Sequence, residues 1–122
     1  MIIVTGGAGF IGSNLVYNLN QKGITDIIIV DSLNSPEKVK NCNRNRFKDF
    51  IDKKAFLQKL TSLGKVDLIL HQGACSNTME SDGNYILNNN FEYTKELFHF
   101  CQKQKVRFIY ASSASVYGNG TY

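Results

Sequence analysis

The sequence has few of the residues that mark disulfide frameworks and zinc sites. It has no tryptophan, one proline and three cysteines in 122 residues. The cysteines, Cys42, Cys75 and Cys101, are odd in number and none belongs to a Cys-x-x-Cys pair. This spacing argues against a disulfide framework or a structural metal, so we expect reduced thiols and no metal site.

The sequence also lacks a long uninterrupted apolar run. Its first 21 residues carry no charged side chain, but four glycines and three asparagines interrupt them and no basic segment precedes them. Neither a membrane span nor a signal peptide has that composition. With 43% hydrophobic and 20% charged residues, the sequence is typical of one globular domain. We place that domain at residues 1–122 and expect it in the cytoplasm, not bound to a membrane.

Acidic residues are fewer than basic ones, which leaves a net charge of +4. Nine of the fourteen basic residues lie between Lys38 and Lys65, a clustering that can bind nucleic acid. No nucleic-acid-binding motif accompanies the cluster. We therefore interpret it as a solvated surface with one or two lysines near a phosphate, and expect no nucleic-acid partner.

What the chain does have is an opening segment in which an apolar run passes directly into glycines. Ile2–Val4 is followed by two overlapping spacings, Gly7-x-Gly9-x-x-Gly12 and Gly6-x-x-Gly9-x-x-Gly12. A strand, a glycine turn and a helix in this order let the backbone approach a dinucleotide pyrophosphate at the helix N-terminus. The alternative is an ordinary glycine turn of an α/β protein.

Strand-like runs alternate with helical patterns along the rest of the chain. The further predicted strands are 26–31, 46–51, 66–70 and 106–110, and the predicted helices are 11–22, 53–63 and 84–104. The first helix is expected to present Ile11, Leu15 and Leu19 on one side, and the last Leu87, Phe91, Phe98 and Cys101. Segments 32–44, with the only proline, and 71–81 are predicted loops. The alternation predicts an α/β fold, a doubly wound parallel sheet in the Rossmann-like order 3-2-1-4-5.

The glycine turn and three later segments resemble the extended short-chain dehydrogenase/reductase family. The segments are Leu-His-Gln-Gly-Ala-Cys-Ser at 70–76, Asn-Asn-Asn-Phe-Glu-Tyr-Thr-Lys-Glu-Leu at 88–97, and Tyr-Ala-Ser-Ser-Ala-Ser-Val-Tyr-Gly at 110–118. Most members have His-x-Ala-Ala where this chain has Gly-Ala-Cys-Ser. In this departure the chain resembles the family's epimerases of nucleotide-linked heptoses.

The resemblance implies an isomerase of which this chain is the N-terminal portion. Such an enzyme inverts C6 of a nucleotide-diphosphate-heptose by removing and returning hydride, in the synthesis of heptose precursors of the lipopolysaccharide core. It also implies a homo-oligomer. Alternatives are another nucleotide-sugar epimerase or dehydratase of the superfamily, or a non-catalytic NAD(P)-binding module.

Site residues are implied by the same resemblance. Those at the cofactor are Gly6, Gly9, Phe10, Ile11 and Gly12 at the pyrophosphate turn, Asp31 and Ser32 at the adenosine ribose, Lys38 and Lys53 near a 2′-phosphate, Gln72, Gly73, Ala74, Cys75 and Ser76 along the cofactor, and Asn89. Ser113 is implied as the catalytic hydroxyl, with a helix N-cap as the alternative. The family's Tyr-x-x-x-Lys occurs nowhere in the 122 residues. We therefore expect a polypeptide of these residues alone to turn nothing over.

The choice between NADP and NAD depends on three charges. Asp31 ends the second strand nineteen residues after Gly12, where an acid accepts from a free ribose hydroxyl and favours NAD. Lys38 and Lys53 favour a 2′-phosphate. At an effective dielectric near 20, two charges about 4 Å apart attract or repel by about 4 kcal/mol. One carboxylate and two ammonium groups are therefore comparable in strength, and their positions decide which cofactor is favoured. The resemblance implies NADP, with NAD as the alternative.

Four polar residues have two interpretations each. His71 is a positioning residue or a base, and Cys75 is a small cofactor-facing residue or a nucleophile. Glu80 and Asp82 mark a helix N-terminus or form an acid–base pair. In each case we favour the first.

Overall fold

Five parallel strands form the centre of the structure, a computed structural model that describes residues 1–77, 79–118 and 120. The strands are β1 (Ile2–Thr5), β2 (Ile27–Asp31), β3 (Asp49–Asp52), β4 (Leu68–His71) and β5 (Arg107–Tyr110), in the order β3-β2-β1-β4-β5. This order confirms the predicted doubly wound topology. The observed β3, β4 and β5 begin three, two and one residues later than predicted, and β3 and β4 also end one residue later.

Helices cover both faces of the sheet. They are α1 (Phe10–Gln21), α2 (Pro36–Asn43), α3 (Lys53–Lys59), α4 (Gly83–Ile86) and α5 (Tyr93–Gln104), with a 3₁₀ turn at Leu60–Ser62, a π-helical segment at Leu87–Glu92 and a second 3₁₀ turn at Ala114–Tyr117. Nowhere in these described ranges is a helix both long and apolar enough to cross a membrane.

The core has two layers because β2 is buried along its whole length. Ile28 and Val30 face a cluster that contains Phe56 of α3 and Leu97 of α5. Ile27 and Ile29 face the opposite cluster, which contains Val16 of α1. A strand buried on both faces is the expected consequence of helices on either side of a parallel sheet.

The prediction that α1 would present Ile11, Leu15 and Leu19 on its inward side is wrong for Ile11. Ile11 is exposed, and the buried residues of α1 are Gly12, Ser13 and Val16. The helix therefore turns its smallest residues toward the sheet, which lets it lie close to the strand. Its predicted end is confirmed, since Gly23 has φ +76° after the C-cap Lys22.

The prediction that 32–44 is a loop is wrong, because α2 occupies most of it. Ser35 is the N-cap and its hydroxyl accepts a hydrogen bond from the Lys38 N–H, while Pro36 occupies the first turn. Proline is compatible with that position because a helix N-terminus does not use its N–H. The proline therefore starts a helix here.

The predicted helix 84–104 is present but is divided by the π-helical segment. Its buried residues are Asn89, Tyr93, Leu97 and Cys101, whereas Leu87, Phe91 and Phe98 are exposed. Cys101 is therefore the one residue of the predicted apolar side that faces the core. Asp82 caps α4 by accepting from the Tyr85 N–H, and Glu80 accepts from the Asp82 N–H. Both carboxylates thus serve the helix start.

Candidate functional site

A cavity of about 510 Å³ lies at the carboxyl ends of the strands, where β1 is flanked by β2 and β4. Ligands of open α/β sheets bind in this crevice. Its lining residues are Thr5, Gly6, Gly9, Phe10, Ile11, Gly12, Val30, Asp31, Ser32, Asn34, Lys38, Lys53, Gln72, Gly73, Ala74, Ser76, Tyr85, Asn89 and Tyr93.

The glycine turn brings β1, α1 and the loop after β4 into direct contact. Gly6 has φ +67°, and a Cβ there would lie 2.7 Å from the Gly73 nitrogen. A Cβ on Gly12 would lie 2.1 Å from the Gly6 carbonyl oxygen. Real Cβ atoms do not approach so closely, so both positions need glycine for the turn to close.

The N-terminus of α1 opens onto this cavity and carries no acidic side chain of its own. Gly9 is its N-cap, no side chain caps it, and its first turn has no acidic residue. The first backbone N–H groups of a helix have no partner within the helix and favour negative charge. A pyrophosphate therefore fits this end of the cavity.

Asp31 ties the glycine turn to β2. Its Oδ2 accepts from the Ala8 N–H at 3.0 Å and its Oδ1 accepts from the Ser32 N–H at 2.7 Å. The Lys38 ammonium donates to the same Oδ1 at 2.7 Å. Since a carboxylate offers about four acceptor positions, one remains for a ligand hydroxyl.

Two lysines surround this carboxylate. Lys38 is held on α2 beside Asp31, and Lys53 begins α3 with its Nζ 5.6 Å from the centroid of the Tyr93 ring. Burial lowers the pKa of Lys53, and the Asp31 carboxylate opposes that shift. Two ammonium groups against one carboxylate leave one net positive charge in this part of the cavity.

The segment 72–76 forms the opposite wall and is held by the π-helical segment. The Cys75 N–H donates to Asn90 Oδ1 at 2.7 Å, and Asn90 Nδ2 donates back to the Cys75 carbonyl at 3.0 Å. Asn89 is buried and lines the cavity. π-helical insertions occur often at functional sites, and here one carries both asparagines.

His71 is held by two threonines and two aromatic rings. Its Nδ1 is 2.5 Å from Thr5 Oγ1 and its Nε2 is 2.8 Å from Thr94 Oγ1. The rings of Tyr93 and Phe108 stack with it at 5.9 and 6.0 Å. Burial, assisted by the nearby charge of Lys53, lowers the pKa of His71 to about 4. A neutral, fully engaged imidazole agrees with the positioning interpretation.

The structure brings together all but two of the site residues expected from the sequence. Cys75 does not line the cavity; its backbone N–H and carbonyl are hydrogen-bonded to the Asn90 side chain. Ser113 does not line it either; it is exposed and caps the second 3₁₀ turn by accepting from the Ser115 N–H. Its catalytic role stays a prediction, as do the cofactor contacts of the others.

Five lining residues were not expected from the sequence: Thr5, Val30, Asn34, Tyr85 and Tyr93. One signal was available, because Tyr85, Asn89 and Tyr93 are spaced four residues apart and therefore share a helix face. The apolar residues of that helix instead predict that a different face is buried. Thr5, at the end of β1, offers no comparable pattern.

Comparison with known proteins relates this arrangement to epimerases. The sequence profile of the NAD dependent epimerase/dehydratase family matches residues 2–122. The ADP-L-glycero-D-manno-heptose-6-epimerase of Brachyspira hyodysenteriae is 60% identical over 98% of this chain, which covers 39% of that protein.

Solved structures of epimerases are also similar to this chain. The Helicobacter pylori ADP-L-glycero-D-manno-heptose-6-epimerase superposes with a TM-score of 0.84 at 29% identity, over 99% of this chain and 41% of its own. The Bacillus cereus UDP-glucuronic acid 4-epimerase in complex with NAD has a TM-score of 0.77 at 30% identity, over 98% and 42%. The chain thus spans about two fifths of the length of these relatives.

Proposed function

The chain belongs to the NAD dependent epimerase/dehydratase family, and from this premise we propose that it provides the dinucleotide-binding part of an NADP-dependent epimerase. The substrate we propose is an ADP-linked heptose, inverted at C6, in the supply of heptose for the lipopolysaccharide core. The bound cofactor supplies the acceptor and donor of hydride for such an inversion. The residues described here bind and orient it.

The observation that carries the proposal is the grouping of Asp31, Lys38 and Lys53 at the cavity. Lys38 compensates the charge of Asp31 at 2.7 Å, so the carboxylate does not repel a phosphate as a free one does. Lys53, which forms no salt bridge with the described residues, adds a second ammonium group at the same wall. This balance favours a cofactor with a 2′-phosphate.

The heptose substrate is supported by sequence likeness. The relative with 60% identity is named as an ADP-heptose epimerase, and the likeness extends over 98% of the chain. Two alternatives remain to be separated by experiment. NAD is named in the family description and is bound in the Bacillus cereus structure. UDP-sugar 4-epimerases share the fold with a TM-score of 0.77.

Cofactor choice is tested by measuring NADP⁺ and NAD⁺ affinity on the full-length protein by isothermal titration calorimetry. We expect Lys53→Gln to weaken NADP⁺ binding about tenfold, the value of one charge-assisted hydrogen bond, and to leave NAD⁺ binding unchanged. Lys59→Gln, which removes an exposed lysine near the end of the same helix, is the control. Tighter binding of NAD⁺ by the wild type, or an equal loss for both cofactors, contradicts the proposal.

Substrate choice is tested with the same protein on ADP-D-glycero-D-manno-heptose, UDP-glucose and UDP-glucuronic acid, with product configuration read by NMR. We expect turnover of the heptose alone. Turnover of a UDP-sugar without the heptose would instead support a 4-epimerase.

A further inference from the structure

A continuous chain of hydrogen bonds crosses the structure from the loop after β4 to the π-helical segment. The Gly73 N–H donates to Thr5 Oγ1 at 3.3 Å, and Thr5 Oγ1 lies 2.5 Å from His71 Nδ1. On the other side of the imidazole, His71 Nε2 lies 2.8 Å from Thr94 Oγ1. The Thr94 hydroxyl donates to the Asn90 carbonyl at 2.7 Å.

The chain has only one direction in which every proton is used. Thr94 has one hydroxyl proton, which goes to the Asn90 carbonyl, so Thr94 Oγ1 must accept from His71 Nε2–H. His71 Nδ1 then accepts from the Thr5 hydroxyl, whose oxygen accepts from Gly73. In the reverse direction the Thr94 hydroxyl donates to His71 Nε2. No proton then lies between Thr94 Oγ1 and the Asn90 backbone carbonyl oxygen, and the lone pairs of these two oxygens face each other at 2.7 Å. This direction also leaves the Thr5 proton without an acceptor among the described residues.

One end of this chain, the Gly73 N–H, belongs to the segment 72–76, and the other is the backbone carbonyl of Asn90, whose side-chain amide also holds that segment. Thr5 holds the segment at Gly73, and Asn90 holds it at Cys75 through two hydrogen bonds. The residues between and beside these anchors, Gln72, Ala74 and Ser76, line the cavity. The imidazole of His71 therefore links the two residues that make the anchors, Thr5 directly and Asn90 through Thr94 and its backbone carbonyl.

We propose that His71, as the neutral Nε2–H tautomer, and Thr94 are positioning residues that hold the 72–76 wall in the geometry that binds the dinucleotide. This inference rests on the proposed function for the identity of the ligand. Neither residue needs to touch the ligand. His71 is not among the lining residues, and it acts through Gly73 and Asn90.

The surroundings of His71 disfavour its protonated form. Tyr93 and Phe108 stack with the imidazole, and the side chain is 4% exposed. The charged group that acts on it is the Lys53 ammonium, of like sign to an imidazolium. A second proton at Nδ1 would also face the Thr5 hydroxyl, which must then give up its donor role.

The first test compares Thr94→Val, Thr94→Ser and Val66→Ala in the full-length protein. Valine keeps the shape of threonine but leaves the buried His71 Nε2–H without an acceptor, so we expect NADP⁺ binding to weaken about tenfold. Serine restores the hydroxyl and should restore binding. Val66→Ala is the control for general destabilisation, because Val66 is buried in the core away from the cavity. Equal affinity in Thr94→Val and Val66→Ala overturns the inference.

The second test reads the tautomer directly from ¹⁵N NMR of histidine-labelled protein at pH 7, free and with NADP⁺. We expect a proton on Nε2 and none on Nδ1 of His71 in both states, and loss of this signature in Thr94→Val. A proton on Nδ1 overturns the inference whatever the ligand. If the wild type binds no dinucleotide, the proposed function fails by itself. If it binds and Thr94→Val binds equally well, only the inference fails.

Discussion

The hydroxyl of Tyr93 is buried, and no hydrogen bond from a described residue compensates for its lost hydration. The side chain is 8% exposed, and its hydroxyl has no hydrogen-bond partner within the described part of the chain. Burial raises the pKa of Tyr93 well above its usual value, and the carboxylates of Asp31 and Asp52 add to the effect. The group is therefore a neutral phenol whose lost hydration is not replaced. Such a group costs about 1–3 kcal/mol of stability.

We expect Tyr93→Phe to raise the free energy of unfolding by about 1 kcal/mol, because phenylalanine keeps the ring and removes the unpaired hydroxyl. Urea unfolding followed by circular dichroism measures the change. Tyr17→Phe, at a position 43% exposed on α1, is the control and should have little effect. A less stable Tyr93→Phe protein would show that the hydroxyl does have a partner in solution.

At the scale of the element, α2 connects local sequence to the site. The helix places Lys38 beside Asp31, and Asn41 Nδ2 donates to the carbonyl of Ala8 in the glycine turn at 2.9 Å. Both contacts depend on the helix start at Ser35, whose hydroxyl accepts from the Lys38 N–H at 3.4 Å. The capping residue thus acts on the cavity through two side chains of its helix.

Ser35→Ala is expected to lower the free energy of unfolding by about 1 kcal/mol, since alanine leaves a helix N–H uncapped. Amide hydrogen exchange should report faster exchange confined to α2. Ser35→Asn retains a capping oxygen and should behave as the wild type. Unchanged exchange in Ser35→Ala would mean that tertiary contacts alone hold the helix.

At the scale of the whole molecule, His71 makes stability depend on pH. Its pKa is lowered to about 4 in the folded state, below the ordinary 6.5 of an unfolded chain. Between these values the unfolded chain binds more protons, so stability rises with pH. The contribution is present above pH 6.5 and is lost as the pH falls toward 4.

We therefore expect the free energy of unfolding to be lower at pH 5 than at pH 7 by about 2 kcal/mol from this residue. Chemical denaturation at the two pH values measures the difference. His71→Gln should reduce the pH dependence by that amount, whereas His99→Gln, at an exposed position of α5, should retain it. Equal slopes in all three proteins would contradict the linkage.

The fold and much of the cavity could be predicted because their signals are local in sequence. The spacing Gly6-x-x-Gly9-x-x-Gly12 lies between a strand and a helix, where the turn can close only with glycine. Asp31 lies at the end of β2, where a ribose-binding acid is expected. α2 differs from the predicted loop although Ser35-Pro36 is a local start signal, because proline is compatible both with a loop and with the first turn of a helix. The side predicted for the last helix is wrong at Leu87 and Phe91, which lie on π-helical backbone with a period other than 3.6 residues. It is also wrong at Phe98 of α5, where Leu97 is the buried residue.

The strands, the glycine turn and the acid at Asp31 follow from the sequence alone, because strand periodicity and the need for glycine are properties of neighbouring residues. That Thr5, His71 and Thr94 form one hydrogen-bond chain follows only from the three-dimensional packing. These residues are 66 and 23 positions apart. They meet because β4 pairs with β1 in parallel, which places Thr5 opposite His71. No pattern within a single segment contains that pairing.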